Sequence, residues 1–176
     1  KSLEYTGAAA DGWLGTSFSP DHADAHMDHL RKGAQAAGRS LADMDLHASC
    51  NVSIGENVQE MIDAHKPGVA FSMGAMGSEK TNFYNDAFKR AGYTDDALAI
   101  QRLWKDGKRP EAIDRVPDAM VTEFGAIGTP DMVAKRFKTY RDAGINSLTL
   151  RLDANLEISQ RGANLEQIMD LLPDRD

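Results

Sequence analysis

The sequence predicts an α/β fold in which the chain forms part of the wall of a (βα)8 barrel. Three observations carry that prediction. Apolar spacing alternates between the two-residue period of strands and the three-to-four-residue period of helices, with short loops between them, which implies parallel strands joined by right-handed crossovers. Each clear strand has one apolar and one polar face, as expected where helices cover the outside and a ligand-lined space lies inside. Only three such strands can be read. That is under half of an eight-stranded ring, so the first and last are expected to be open edges, closed by further chain before Lys1 or by a second subunit.

Ser2 to Ala10 reads as a helix stopped by the turn pair Asp11-Gly12, and Trp13 to Thr16 as a short strand. Ser19 then caps a helix with Pro20 at its first position. In it Ala23, Met27, Leu30, Ala34 and Ala37 recur at steps of four and three until Gly38. Leu46, Ala48, Cys50, Val52 and Ile54 alternate with His47, Ser49, Asn51 and Ser53, the period of a strand with one polar face. From Glu56 to Glu123 the pattern is helical but punctuated by Pro67, Gly74, Gly77, Gly92, Gly107, Pro110 and Pro117, which predicts several short helices and no strand. This block, residues 56–124, is expected to be a helical insertion, a lid, within a single domain spanning 1–176. Thr129-Pro130-Asp131 starts a helix with Val133, Phe137 and Tyr140 as its apolar stripe, closed by Gly144. Ser147 to Leu152 is a strand with three leucines on one face and Ser147, Thr149 and Arg151 on the other, and a last helix runs from about Ser159 to Leu172.

Composition narrows the function. With 41% hydrophobic residues among 176, the chain has the apolar mass for a real core. Its net charge of −7 repels phosphate backbones and anionic membranes, and no run of Lys/Arg interleaved with aromatics is present, so neither nucleic acid nor membrane is expected as a partner. The single cysteine, Cys50, excludes an intrachain disulfide framework and a cysteine-based zinc site. With no signal peptide and no bilayer-length apolar stretch, a soluble cytoplasmic protein is expected. The first residue is Lys1, directly before a helix, so the chain is expected to begin in mid-protein.

Three stretches carry a resemblance. They are Ala8-Ala9-Ala10-Asp11-Gly12-Trp13-Leu14; Gly74-Ala75-Met76-Gly77-Ser78 followed by Asn82-Phe83-Tyr84; and Gly128-Thr129-Pro130-Asp131-Met132-Val133 with Ala143-Gly144-Ile145. In order and spacing the chain resembles, essentially from end to end, the carboxyl-terminal half of the luciferase-like monooxygenase superfamily. The resemblance implies a TIM-type barrel and a flavin-type cofactor, FMN or 8-hydroxy-5-deazaflavin (coenzyme F-420). It implies an oxidoreductase or monooxygenase acting on a small organic substrate by hydride transfer or oxygen activation. It also places the helical block where the family carries a mobile active-site cover, and the family's acid/base residues in the amino-terminal half, so that this fragment alone is expected to be inactive. The expected partners are a small-molecule substrate, the cofactor and a second copy in a homodimer. The alternative is a non-catalytic flavin-binding or assembly module completed by another chain.

The candidate residues follow the same geometry. Lys1 and Ser2 open a helix, where free N–H groups and the dipole favour an anion; the resemblance implies the cofactor phosphate, against a plain frayed terminus. Gly15, Thr16 and Ser17 end the first strand on the side where barrel ligands bind, against an ordinary turn into the next helix. Met73, Met76, Phe83 and Tyr84 have the adaptable apolar character of a substrate pocket or lid, against simple core. His47, Ser49, Asn51 and Ser53 would line the barrel interior, and Arg151 could pair with a cofactor carboxylate or phosphate, or with Asp153 on the surface. Relatives that oxidise sugar phosphates carry a lysine about where Ser19 stands, which argues against that substrate class. His22, His26 and His29 share a helical stripe whose spacing would permit metal ligation, but its acidic neighbours read as a solvated face, and no metal is expected. Gly125 to Gly128 lacks the residues of a phosphate loop and reads as the lead into a helix cap. The catalytic residues are not assigned.

Overall fold

In the computed structural model, which describes residues 1–78, 81–152 and 157–172, helix α1 (Ser2–Ala9) leads into strand β1 (Gly12–Gly15). A 3-10 turn (Pro20–His22), α2 (Asp24–Ala36) and β2 (Asp45–Ile54) follow. Five helices come next: α3 (Val58–Gly74), α4 (Phe83–Arg90), α5 (Thr94–Lys105), α6 (Arg109–Asp114) and α7 (Asp118–Thr122). The chain then returns through β3 (Gly125–Gly128), α8 (Pro130–Asp142), β4 (Ser147–Leu152) and α9 (Ile158–Asp170).

All described strand pairs are parallel, and β2 is their hub. His47 and Ala48 pair with both β1 and β4, and Asn51 and Val52 with both β3 and β4. A strand has two edges, so β4 occupies one edge of β2 while β1 and β3 lie end to end along the other. Across the sheet the strands therefore run β1, β2, β4, with β3 beyond the end of β1, and the outer edges of β1 and β4 carry no strand among the described residues. This is an arc of a TIM-type barrel with a helical insertion.

The alternation of β2 explains the layering. Leu46, Ala48, Cys50 and Val52 are buried against Met27, Leu30, Val133, Phe137 and Tyr140 from the covering helices. Residues 47, 49, 51 and 53 point to the opposite, more open side. The insertion has a second apolar cluster of its own, including Ile62, Met73, Phe88, Ile100 and Met120. Strand β3 joins the two: Ala126 belongs to the barrel cluster and its neighbour Ile127 to the insertion's. Among the described residues no helix is long and apolar enough to cross a membrane.

Three local expectations are corrected. Gly125–Gly128 leads into the Thr129 cap of α8, which accepts from Met132 N, but is a strand as well; four residues with two glycines show no period, and the strand exists because the edge of β2 at Asn51–Ile54 offers it partners. Helix α3 runs through Pro67, because Ile62 on one side of the proline and Ala70 and Met73 on the other are buried in the same cluster. The helix expected from Pro20 to Gly38 is split into a 3-10 turn and α2.

Candidate functional site

In a parallel sheet, loops after the carboxyl ends of strands are where ligands bind. A cavity of about 320 Å³ lies there, between the inner face of the sheet and the insertion. Its floor is polar. Thr16 and Ser17 follow β1, Ser49 and Asn51 project from β2, and Arg151 comes from β4, in register with Asn51. Ser17 is held at φ +51°, a left-handed conformation uncommon for a residue with a side chain, which turns the backbone at the mouth of the cavity.

The roof is built by α3, α4 and the segment after α7. His65, Gly68, Val69 and Ser72 form one face of α3, with Tyr84 and Phe88 from α4 and Phe124 beyond them. Phe88 and Phe124 stack with ring centroids 4.0 Å apart. Two buried asparagines set the angle of α4. Asn82 caps it by accepting from Asn85 N and donates to the Ser72 and Met73 carbonyls at the end of α3, both at 2.9 Å; Asn85 donates to Ala97 O on α5. His65 Nε2 lies 2.9 Å from Ser53 Oγ, a direct bond between roof and sheet. Although the chain carries 27 Asp and Glu, no carboxylate is among the described lining residues, and Arg151 is their one permanent cation.

Of the residues singled out in the sequence, the structure brings Thr16, Ser17 and Tyr84 to this cavity, together with Ser49, Asn51 and Arg151. Lys1 and Ser2 sit exposed at the start of α1 and are not among its lining. Gly15 is buried under the Trp13 ring, where a Cβ would come within 2.5 Å of the indole. Met73 is fully buried in the insertion's cluster, Met76 is half-buried, and Phe83 is exposed. His47 bonds Thr149 Oγ1 at 2.6 Å outside the lining. The surface pairing of Arg151 with Asp153 lies outside the described residues. The histidine stripe disperses: His22 meets Glu123, His29 meets Glu4, and His26 sits between Trp13 and Phe18. Burial pushes the Cys50 thiol up to about 11, so it is a core residue and not a nucleophile.

The sequence reading does not single out His65, Ser72, Phe88 or Phe124. A signal for the first two exists: positions 65, 68, 69 and 72 share one helical face. It becomes legible only if the helix continues past Pro67.

A sequence model of the luciferase-like monooxygenase family matches residues 1–147. The chain is 30% identical over 152 residues to a Mycobacterium tuberculosis protein provisionally named a coenzyme F-420-dependent oxidoreductase, covering 85% of this chain and 44% of that protein. It is also 30% identical over 149 residues to the 5,10-methylenetetrahydromethanopterin reductase of Methanopyrus kandleri, covering 84% and 41%. The solved structure of the coenzyme F-420-dependent tetrahydromethanopterin reductase from that organism superposes with a TM-score of 0.70 at 27% identity, over 94% of this chain and 46% of that one. An F-420-dependent secondary alcohol dehydrogenase shares the fold, with a TM-score of 0.66 at 13% identity, over 98% of this chain and 46% of that one. The chain thus spans less than half the length of the curated relatives it matches.

Proposed function

The chain belongs to the luciferase-like monooxygenase family, and from that premise we propose that it is part of a deazaflavin-dependent oxidoreductase, contributing one wall of the coenzyme site and its cover. The observation that carries the reading is the cavity at the strand ends, with a polar floor, no carboxylate among its described lining residues, and a roof in which the rings of Tyr84, Phe88 and Phe124 lie beside Val69. The names of the Mycobacterium tuberculosis relative and of the solved Methanopyrus kandleri structure favour coenzyme F-420 over FMN.

The donor set fits such a group. Hydroxyls at Thr16, Ser17 and Ser49 and the amide of Asn51 suit the hydroxyls of a ribityl-type chain, and the Arg151 fork suits a phosphate or carboxylate. Lys1 and the free N–H groups at the start of α1 are the second place where this chain would take a phosphate. Bound there, a deazaflavin supplies a ring carbon that gives or accepts a hydride. The residues of this chain then do the protein's share: the floor orients the coenzyme, and Val69, Tyr84, Phe88 and Phe124 cover it and exclude water.

The test is a titration of full-length protein with F-420 and, separately, FMN, followed by coenzyme fluorescence. Saturable binding of F-420 that is lost on replacing Asn51 and Arg151 together supports the reading. Binding of FMN alone would move the cofactor, and binding of neither would end the proposal. Tight F-420 binding without turnover of any alcohol or carbonyl compound would favour the non-catalytic module instead.

A further inference from the structure

We propose that the roof of the cavity opens along one seam, where Ala87 and Ala91 of α4 lie on Ser19 and His26 of the barrel, and that α4 has a second, outward position in which water reaches those two polar groups. The inference does not depend on which coenzyme the cavity holds.

The seam is a narrow void between Ser19, His22 and His26 of the barrel and Ala87, Ala91 and Phe124 of the insertion, with no room for a water molecule. Two buried polar atoms face it unpaired. Ser19 is 3% exposed and His26 8%, and Ser19 Oγ and His26 Nδ1 find no hydrogen-bond partner among the described residues. Ser19 stands directly before Pro20, where a serine commonly caps, yet its side chain makes no cap bond. From the other side α4 offers only methyl groups. A hydroxyl and a ring nitrogen buried in this way carry a desolvation penalty that hydration removes, so closure of the seam is held against a cost.

The joints of α4 within the insertion are the opposite case. Asn82 and Asn85 tie the helix to α3 and α5 by donating to the carbonyls of Ser72, Met73 and Ala97. When the roof moves, α4 therefore stays with the insertion and parts from the barrel. The seam and the cavity share Ser17 and Phe124, and the Phe124 ring stacks on Phe88 of α4. Parting at Ser19 and His26 thus draws Tyr84 and Phe88, one helical stripe with Ala87 and Ala91, off the cavity. Protons favour the parted form. In the closed seam burial keeps His26 neutral down to about 4, and Arg90 on α4 and His29 on α2 add to the cost of its charge. His22, the other histidine at the void, is engaged with Glu123. Once hydrated, the His26 ring takes a proton near its ordinary 6.5.

Full-length protein carrying Ala87→Cys is labelled with dithiodipyridine in the absence of coenzyme, and each rate is divided by that of a free cysteine peptide under the same conditions. Cys50, fully buried in the barrel core, reports global unfolding in the same molecule. The introduced thiol should react about tenfold faster than Cys50 or more, because local opening is more frequent than global unfolding. Adding Ser19→Ala, which deletes an unpaired hydroxyl, should slow its reaction by about fivefold. Lowering the pH from about 7.5 to 5 should quicken it by about tenfold or more, and His26→Leu should remove that response. The inference is overturned if the two thiols react at one rate, if Ser19→Ala leaves the reaction unchanged or quickens it, or if the pH response survives His26→Leu. Since no coenzyme is present, each outcome stands whether or not F-420 binds.

Discussion

His22 Nε2 lies 3.0 Å from Glu123 Oε2, joining the start of the barrel's second helical segment to the end of the insertion. The contact is one part of a clasp. The Arg136 guanidinium, from α8, donates to the Glu123 carbonyl and sits 2.5 Å from Asp21 Oδ2, and Tyr93, at the start of α5, feels the Glu123 carboxylate. Burial and that carboxylate push the Tyr93 phenol well above its ordinary range. Glu123→Ala removes only the carboxylate contacts and should cost about 1–2 kcal/mol. Arg136→Lys leaves the Asp21 carboxylate and the Glu123 carbonyl without their shared fork, and should cost about 3 kcal/mol. Denaturant midpoints measure the cost. Amide exchange across residues 118–128 should quicken in both variants before the rest of the barrel does, and a uniform change would sink the clasp.

His26 gives the fold a pH dependence of known sign. Its ring lies 5.5 Å from that of Trp13 and 5.9 Å from that of Phe18, and burial, with smaller contributions from the Arg90 and His29 charges, lowers its pKa to about 4. The unfolded chain binds a proton there below about 6.5, whereas the folded chain refuses it until about 4. The stability is complete above pH 6.5 and is lost as the pH falls toward 4. Urea midpoints measured at pH 7.5, 6 and 5 should decline in wild type, and His26→Leu should flatten that decline.

Much of the fold was legible because it rests on local periodicity. The alternation from Leu46 to Ile54 gives β2 and its two faces, and the stripe Val133, Phe137, Tyr140 gives α8. What escaped depends on partners distant in sequence. Strand β3 is recruited by the edge of β2, and α3 survives Pro67 through burial on both sides of it. The site divides in the same way. Thr16 and Ser17 follow from a rule about strand ends, and Tyr84 from its apolar character near glycines. His65 enters the cavity only through the continuity of α3 and a bond to Ser53, and Gly15 leaves it because the Trp13 ring lies over it.

The same substitution should have opposite signs at two helical glycines. At Gly33, where α2 crosses α1, a Cβ would fall 1.8 Å from the Glu4 carbonyl oxygen, and backbone cannot yield as a flexible side chain can. Gly33→Ala should therefore force α1 and α2 apart, at a cost of about 2–3 kcal/mol. Gly162 in exposed α9 has no atom within 4 Å of that position. Gly162→Ala should stabilise by about 0.5–1 kcal/mol through helix propensity alone. Thermal unfolding of the two variants beside wild type checks both signs.

Arg151 should carry the charge-dependent part of coenzyme binding. It projects from β4 beside Asn51 into a cavity with no carboxylate among its described lining residues, in a chain whose net charge of −7 would otherwise repel an anionic ligand. A charge-assisted hydrogen bond contributes about 1.5–3 kcal/mol, so Arg151→Met should weaken F-420 binding by tenfold or more. Arg151→Lys keeps the charge but not the planar fork and should fall between. Salt separates this role from a packing role, because exposed charge pairs are screened and apolar contacts are not. Wild-type affinity should therefore drop between about 20 and 200 mM salt, with Arg151→Met much less sensitive across the same range. If the variant keeps the wild-type salt slope, the anionic group of the coenzyme lies elsewhere, and the start of α1 at Lys1 and Ser2 becomes the place to look.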